Sequence, residues 1–210
     1  MKLILIAAPG AGKGTQAEKL SEHYSIPTIS TGAILRRNIK EGTELGKLAQ
    51  SYIDNGNLIP DDVMIKVMAD RLKNDDCKNG FILDGFPRTI AQAEALDKSD
   101  ITIDAVVNLD VPDDIIINRL AGRLECSKCS TTYHREHKKP MVEGKCDKCG
   151  SELSTRADDT PETIKSRLNT YHETTEPLIE YYKDREMLKT VVGQDSIDGT
   201  TEDILRVLGD

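Results

Sequence analysis

The chain has 210 residues, 38% of them apolar, with 28 Lys+Arg against 36 Asp+Glu and a net charge of −8. This length fits one large domain or one domain with an insertion, at roughly 100–200 residues per domain. The acidic balance, the absence of Trp and the scarcity of Phe argue against a general nucleic-acid binder, which needs concentrated cations and stacking aromatics. The first apolar run, Leu3–Ala8, is too short for a signal-peptide core or a membrane span, so no membrane partner is expected.

In chain order, Lys2–Ala8 reads as a buried strand, followed by a glycine turn and a helix over Lys13–Tyr24. Pro27–Ser30 predicts a short strand, and Thr31 an N-cap for a helix running toward Gly42. Helices are predicted over Gly46–Asn55 and over Asp61–Asn74, the latter entered through Pro60. Gly80–Asp84 is an apolar strand ending in a carboxylate, and the Thr-x-x-Gln start of Thr89–Asp97 predicts a capping box. Ala105–Asp110 is the next strand, and Pro112 opens a helix. The helical rhythm breaks between Gly122 and Asp159. Thr160-Pro161 then restarts a long helix that Pro177 should bend, before a strand at Lys189–Val192 and a helix over Thr200–Leu208. Strands alternating with helices predict an α/β fold with a parallel β-sheet flanked by helices, into which the 122–159 segment is inserted.

Ala7-Ala8-Pro9-Gly10-Ala11-Gly12-Lys13-Gly14-Thr15 follows a buried strand and opens a helix. That context suits a phosphate-binding loop, whose backbone N–H groups curl around an anion at a helix N-terminus. Lys13 would reach the outer phosphates, and Thr15 offers a hydroxyl near metal or phosphate. The pattern G-x-x-x-x-G-K-[ST] is not met as written, since Ala7 stands at its first glycine and Gly14 precedes the hydroxyl residue.

Asp84-Gly85-Phe86-Pro87-Arg88 leaves the carboxyl end of a strand, where open α/β sheets bind ligands. Asp84 could organise Mg²⁺ through its water shell. Arg119 and Arg123 are four apart and read as one helix face; Arg156, followed by Asp158-Asp159, and Arg167 complete a scattered set of cations.

Cys126-x-x-Cys129 and Cys146-x-x-Cys149 have four-thiolate spacing of the zinc-ribbon kind, which implies a closed, structural Zn²⁺ site. Disulfides, or another tetrahedral metal such as Fe²⁺, are the alternatives. His134 and His137 are left unligated, because four sulfurs suffice. The segment's eight Lys+Arg against seven Asp+Glu are too balanced for a nucleic-acid ribbon.

Taken together, Pro9–Thr15, Ser30-Thr31-Gly32 with Arg36, Gly56–Asp61, Asp84–Arg88 with Gln92, Gly122-Arg123 and Arg156–Asp159 make the chain resemble the bacterial adenylate kinases, long form with a zinc-bearing lid. The resemblance implies a P-loop nucleoside monophosphate kinase fold divided into three parts. The core would be 1–29, 60–121 and 160–210, the AMP-binding segment 30–59 and the lid 122–159. It implies reversible Mg²⁺-dependent phosphoryl transfer from ATP to AMP, giving two ADP, in a cytoplasmic monomer.

By the same resemblance Gly10, Ala11, Gly12, Lys13, Gly14 and Thr15 hold the ATP phosphates. Arg119, Arg123, Thr132, Tyr133 and Asp195 lie along ATP. Thr31, Arg36, Asn57, Leu58, Ile59, Gly85, Phe86, Pro87, Arg88 and Gln92 form the AMP pocket. Arg156 and Arg167 bridge phosphates, while Asp158 and Asp159 latch the lid. Ala7 and Ala33 depart from the family pattern, where glycine and aspartate are usual, so an active but slowed enzyme is expected. Another nucleoside monophosphate kinase, or a nucleotide binder with lost catalysis, are the competing readings.

Overall fold

In the computed structural model, which describes residues 1–194 and 196–210, the chain begins β1 (Lys2–Ala7), α1 (Lys13–Tyr24), β2 (Thr28–Ser30), α2 (Thr31–Glu41), α3 (Glu44–Ile53) and α4 (Asp61–Arg71). It continues through β3 (Phe81–Asp84), α5 (Ile90–Asp97), β4 (Ala105–Asp110), α6 (Asp113–Ala121), β5 (Arg123–Cys126), β6 (Thr132–His134) and β7 (Leu153–Ser154). It ends with α7 (Pro161–Thr170), α8 (Pro177–Lys183), β8 (Leu188–Val192) and α9 (Ile197–Leu208).

The main sheet is parallel, in the order β2-β3-β1-β4-β8. Alternate residues of β1 serve opposite faces. Leu3 and Leu5 join Leu20, Ile116, Leu120 and Ile204 on one side. Ile4 and Ile6 join Met68, Leu83, Leu96 and Tyr182 on the other. With both faces covered, β1 needs no polar alternation, which is why its sequence is a continuous apolar run. The register sets Leu5 and Ser30 opposite Asp84, so β1, β2 and β3 deliver their carboxyl ends to one edge.

Side-chain caps decide several helix starts. Ser30, rather than Thr31, caps α2 by accepting the Ala33 N–H, and Thr31 is already helical. Thr43 caps α3, which begins at Glu44, two residues ahead of the predicted start. Ser196 caps α9 through the Gly199 N–H, so the last helix begins three residues before Thr200. Gln92 does not close the expected capping box: its Oε1 accepts the Arg88 N–H at 2.8 Å, while Thr89 alone caps α5. The long helix after Thr160 is interrupted by a π turn at Tyr171–Thr175, and Pro177 opens α8 just beyond it. Proline has no N–H to continue the preceding ladder, so the break falls before the proline.

The 122–159 segment carries a separate antiparallel sheet, β6-β5-β7, in which Glu125 faces Thr132 and Cys126 faces Leu153. Its apolar centre is only Cys126, Tyr133 and Cys146, flanked by Leu124, Cys149 and Leu153. Among the described residues no helix is long and apolar enough to cross a membrane.

Candidate active site

A cavity of about 1000 Å³ opens between the carboxyl edge of the main sheet, the α2–α3 pair and the 122–159 segment. The loop after β1 forms its floor. Gly10 has φ +94°, and a Cβ there would lie 2.6 Å from Leu120 Cγ, so both conformation and the approach of α6 require glycine. The N-cap of α1 is Gly12, which has no side chain to offer, and Lys13, Gly14 and Thr15 of the first turn line the cavity. Its first-turn N–H groups therefore meet the cavity, an arrangement suited to an anion. Gly10, Ala11, Gly12, Lys13, Gly14 and Thr15 all line this floor, and Ala7 at the end of β1 and Ala33 on α2 line the same cavity.

Lys13 Nζ pairs with Asp84 at the end of β3. Burial opposes charge on both groups, and it pulls Lys13 below its ordinary value despite the adjacent carboxylate. For Asp84 burial acts upward, but Lys13, Ser30 and Arg88 together hold the carboxyl below its usual range. An ionised strand-end carboxylate is the hard oxygen donor that hydrated Mg²⁺ accepts.

Five arginines converge above the loop: Arg36, Arg88, Arg123, Arg156 and Arg167 all line the cavity. Arg88 is held at its backbone by Gln92 and by the Thr175 hydroxyl, which donates to its carbonyl at 2.9 Å; its Nε donates to Gly85 O at 3.0 Å. Arg123 pairs with Asp159, and Arg167 Nη1 lies 2.9 Å from Asp158 and 3.0 Å from Asp159. Arg156 pairs with Glu125, whose other oxygen lies 3.3 Å from Arg36 Nε. Burial lowers the pKa of Arg36, Arg88, Arg123 and Arg167, and Arg156 adds repulsion to Arg36, Arg123 and Arg167. Such a crowd of buried guanidinium groups favours a polyanion. Arg119 and Arg123 do not share a helix face as expected, because α6 ends at Ala121 and Arg123 begins β5.

On the α2–α3 side, Thr31, Asn57, Leu58, Ile59, Gly85, Pro87 and Gln92 line the cavity. Thr31 Oγ1 donates to Gly85 O at 2.9 Å, and Gly85 has φ +85° with a Cβ position only 2.6 Å from that hydroxyl. Gln92 Nε2 donates to Asp61 at 2.7 Å. The Phe86 side chain instead turns into the apolar core, 3% exposed. On the opposite side, Arg119 donates to Ala11 O and Gln194 O, both at 3.3 Å, beside Thr132 and Tyr133. Asp195 lies outside the described residues. Asp158 lines the cavity, whereas Asp159 lies behind it with a side chain 1% exposed.

The four cysteines are free, and their sulfurs all lie within 4.8 Å of one another. Cys126–Cys149, Cys129–Cys146 and Cys129–Cys149 are separated by 3.4, 3.5 and 3.5 Å. Disulfide sulfurs would be about 2.05 Å apart, whereas tetrahedral Zn–S bonds of about 2.3 Å give S···S edges near 3.8 Å. The residues therefore fit a four-thiolate metal. His134 is engaged elsewhere, its Nδ1 accepting the N–H groups of Glu136 and His137 at 3.0 and 3.1 Å.

Sequence reasoning missed Glu125 and Glu18, and placed Asp61 in the Gly56–Asp61 motif without its partners. Glu125 and Asp61 are carboxylates whose partners, Arg36 with Arg156 and Gln92 with Thr89, become neighbours only on folding. Glu18, on α1, meets Lys138 and Lys148 of the inserted segment. For Glu125 and Glu18 the only sequence signal was an acidic residue beside lysines or arginines.

A parallel sheet whose first loop floors an arginine-lined cavity, with a four-cysteine insertion beside it, defines a P-loop phosphotransferase. A family model described as adenylate kinase matches residues 5–187. The adenylate kinase of Caldicellulosiruptor saccharolyticus is 54% identical over 100% of this chain and 99% of its own length. That of Acetivibrio thermocellus is 53% identical over 99% and 98%, and that of Clostridium perfringens 50% over 100% and 99%. The chain belongs to the adenylate kinase family.

Proposed function

We propose that the cavity binds ATP and AMP side by side and passes the terminal phosphoryl group of ATP to the AMP phosphate, yielding two ADP. The convergence of Lys13, Arg36, Arg88, Arg123, Arg156 and Arg167 on one cavity, between its glycine loop and its α2–α3 side, carries this reading. Gly10–Thr15 would hold the ATP phosphates, with Arg119, Arg123, Thr132, Tyr133 and Asp195 along the rest of that nucleotide. Thr31, Arg36, Asn57–Ile59, Gly85–Arg88 and Gln92 would hold AMP, Phe86 acting through its backbone and the packing beneath it.

Phosphoryl transfer needs in-line positioning and charge compensation more than covalent help. Lys13, Arg88, Arg123, Arg156 and Arg167 would spread cationic charge over the transferring oxygens, and the AMP phosphate is already an anionic nucleophile. Mg²⁺ supplies further charge compensation when it arrives with ATP, and Asp84 would hold it through water. Water must stay out, or ATP would be hydrolysed. Residues 122–159, the lid, and residues 30–59, the acceptor-side cover, would close over the 1–29, 60–121 and 160–210 core. Asp158 and Asp159 would latch the lid to the core through Arg167, while the Arg123–Asp159 pair holds the lid's own two ends together. Zn²⁺ on Cys126, Cys129, Cys146 and Cys149 would be structural, since four thiolates leave no open position.

We further infer a monomer working in the cytoplasm without a membrane partner, and the acidic charge speaks against a nucleic-acid partner. The test is ADP formation from ATP with AMP, CMP, UMP or GMP in the presence of Mg²⁺. AMP-selective turnover that falls at least about 10²-fold in Lys13→Ala and in Arg88→Ala is expected, the usual scale for a lost charge-stabilising group. No turnover with any acceptor, in folded metal-replete protein, would instead make Ala7 and Ala33 marks of a nucleotide binder.

A further inference from the structure

Glu125 has no role in the reaction as assigned above, yet it is one of the few buried carboxylates, 9% exposed on β5. It does not line the cavity. It stands behind two guanidinium groups that do, pairing with Arg156 and lying 3.3 Å from Arg36 Nε. These two arginines come from different covers: Arg36 from α2, and Arg156 from the lid strand's return toward α7. Without an anion between them they repel, and Arg36 feels Arg156 as its strongest unfavourable charge. The Nε atoms of both are buried without a well-directed hydrogen bond, so each fork keeps donor capacity in reserve. A second contact follows the same seam, Lys40 of α2 donating to Ser127 O at 3.3 Å. Glu125 is thus a single carboxylate on which the two covers meet.

We propose that Glu125 is a positioning residue that couples the two nucleotide subsites, by clasping Arg36 of the acceptor-side cover to Arg156 of the lid. Seating the lid on ATP brings Glu125 to Arg36 and holds that guanidinium where AMP needs it. By linkage, AMP on Arg36 must favour the seated lid to the same degree. The clasp also explains why a negative group is present in a site built for anions: facing away from the cavity, it steadies the cations without opposing the phosphates. The inference rests on the assignment of Arg36 to the AMP pocket.

The experiment is calorimetric titration of AMP into zinc-replete protein, with and without a non-hydrolysable ATP analogue. The readout is the factor by which the analogue tightens AMP binding. Glu125→Gln keeps size and one acceptor oxygen but removes the charge and turns the other oxygen into an NH₂ donor, so it can serve only one of the two guanidinium groups; it should shrink that factor about five- to tenfold, within the usual range of coupling between sites. Affinity for the analogue alone should weaken by a smaller factor, since the clasp forms when the lid seats, and Glu125→Asp should retain part of the coupling. A factor equal to that of the unmodified protein, or an equal loss at both sites with the factor intact, overturns the clasp.

Arg36→Ala run in parallel separates the two claims. AMP binding indifferent to Arg36→Ala overturns the AMP-site assignment, whereas weakened AMP binding with normal coupling in Glu125→Gln overturns the clasp alone. A measurement on the unmodified chain avoids any folding defect of the variants. Hydrogen exchange in α2 should slow when only the ATP analogue is bound, and unchanged exchange there counts against the proposal.

Discussion

The main sheet and the lid are held together by different physics. β1 buries every residue from Leu3 to Ala7 between two apolar layers, and these layers draw on seven or more helices and strands. The lid's strands are 4, 3 and 2 residues long, around an apolar centre of three residues. Burial of that size does not offset the chain entropy of ordering such a segment. The lid therefore depends on its four thiolates and on ion pairs to its surroundings. The difference matters for function: the part that fixes the phosphate loop is rigid by burial, while the part that carries Arg123 and Arg156 can move as a unit because few apolar contacts tie it down.

Metal removal should produce the largest effect that separates the two regions. Structural zinc in small thiolate sites is worth about 10–16 kcal/mol of apparent folding free energy. Chelation, or Cys146→Ala, should abolish hydrogen-exchange protection across β5, β6 and β7 and leave β1, β3 and β4 protected. ADP formation should fall with the lid, since Arg123 and Arg156 go with it. Loss of protection in both regions together would show that the lid is an integral part of the core.

The converse perturbation is Leu3→Ala, at the end of β1 remote from the loop, where the side chain is fully buried. Large-to-small changes at such positions cost about 2–5 kcal/mol, and each kcal/mol lowers Tm by roughly 2–4 °C in a chain of this size. Thermal unfolding should reveal that loss while zinc content and turnover below the transition stay unchanged. A variant that releases zinc before the sheet melts would break the separation argued here.

The contrast also explains what the sequence made legible. Continuous apolar runs announced the parallel strands, because burial on both faces leaves no other pattern for β1, β3 and β4. The glycine loop was legible because Gly10 and Gly12 need positive φ, and the cysteine pairs because metal geometry fixes their spacing. Local rules failed where hydroxyl residues competed for one cap: Ser30 took α2 from Thr31, and Ser196 took α9 from the Thr200 start. Arg119 and Arg123 looked like helix neighbours because nothing in their spacing reports that α6 stops at Ala121. Gln92 satisfied the capping-box pattern, yet its amide is divided between Arg88 and Asp61. Carboxylates that act on distant partners, such as Glu125 and Glu18, have no spacing rule at all.

Glu18 provides the smallest and most specific test of the comparison. It sits on α1 of the core and meets two lid lysines, Lys148 in close contact and Lys138 at 3.5 Å. Although burial acts to raise its pKa, these two cations hold the carboxyl below its ordinary value. All three side chains remain partly exposed, at 29%, 30% and 52% for Glu18, Lys138 and Lys148, so solvent and salt screen the pairs. Each should contribute about 0.2–1 kcal/mol to the seated lid. Glu18→Gln should therefore raise the KM for ATP by no more than about fivefold per pair, with kcat and Tm little changed. The distinguishing readout is salt: the KM of the unmodified protein should climb with NaCl toward that of the variant, and the variant's should respond less. Equal salt slopes in the two proteins would mean that the lid seats on its zinc knuckles and arginines alone, with the Glu18 pairs contributing nothing measurable.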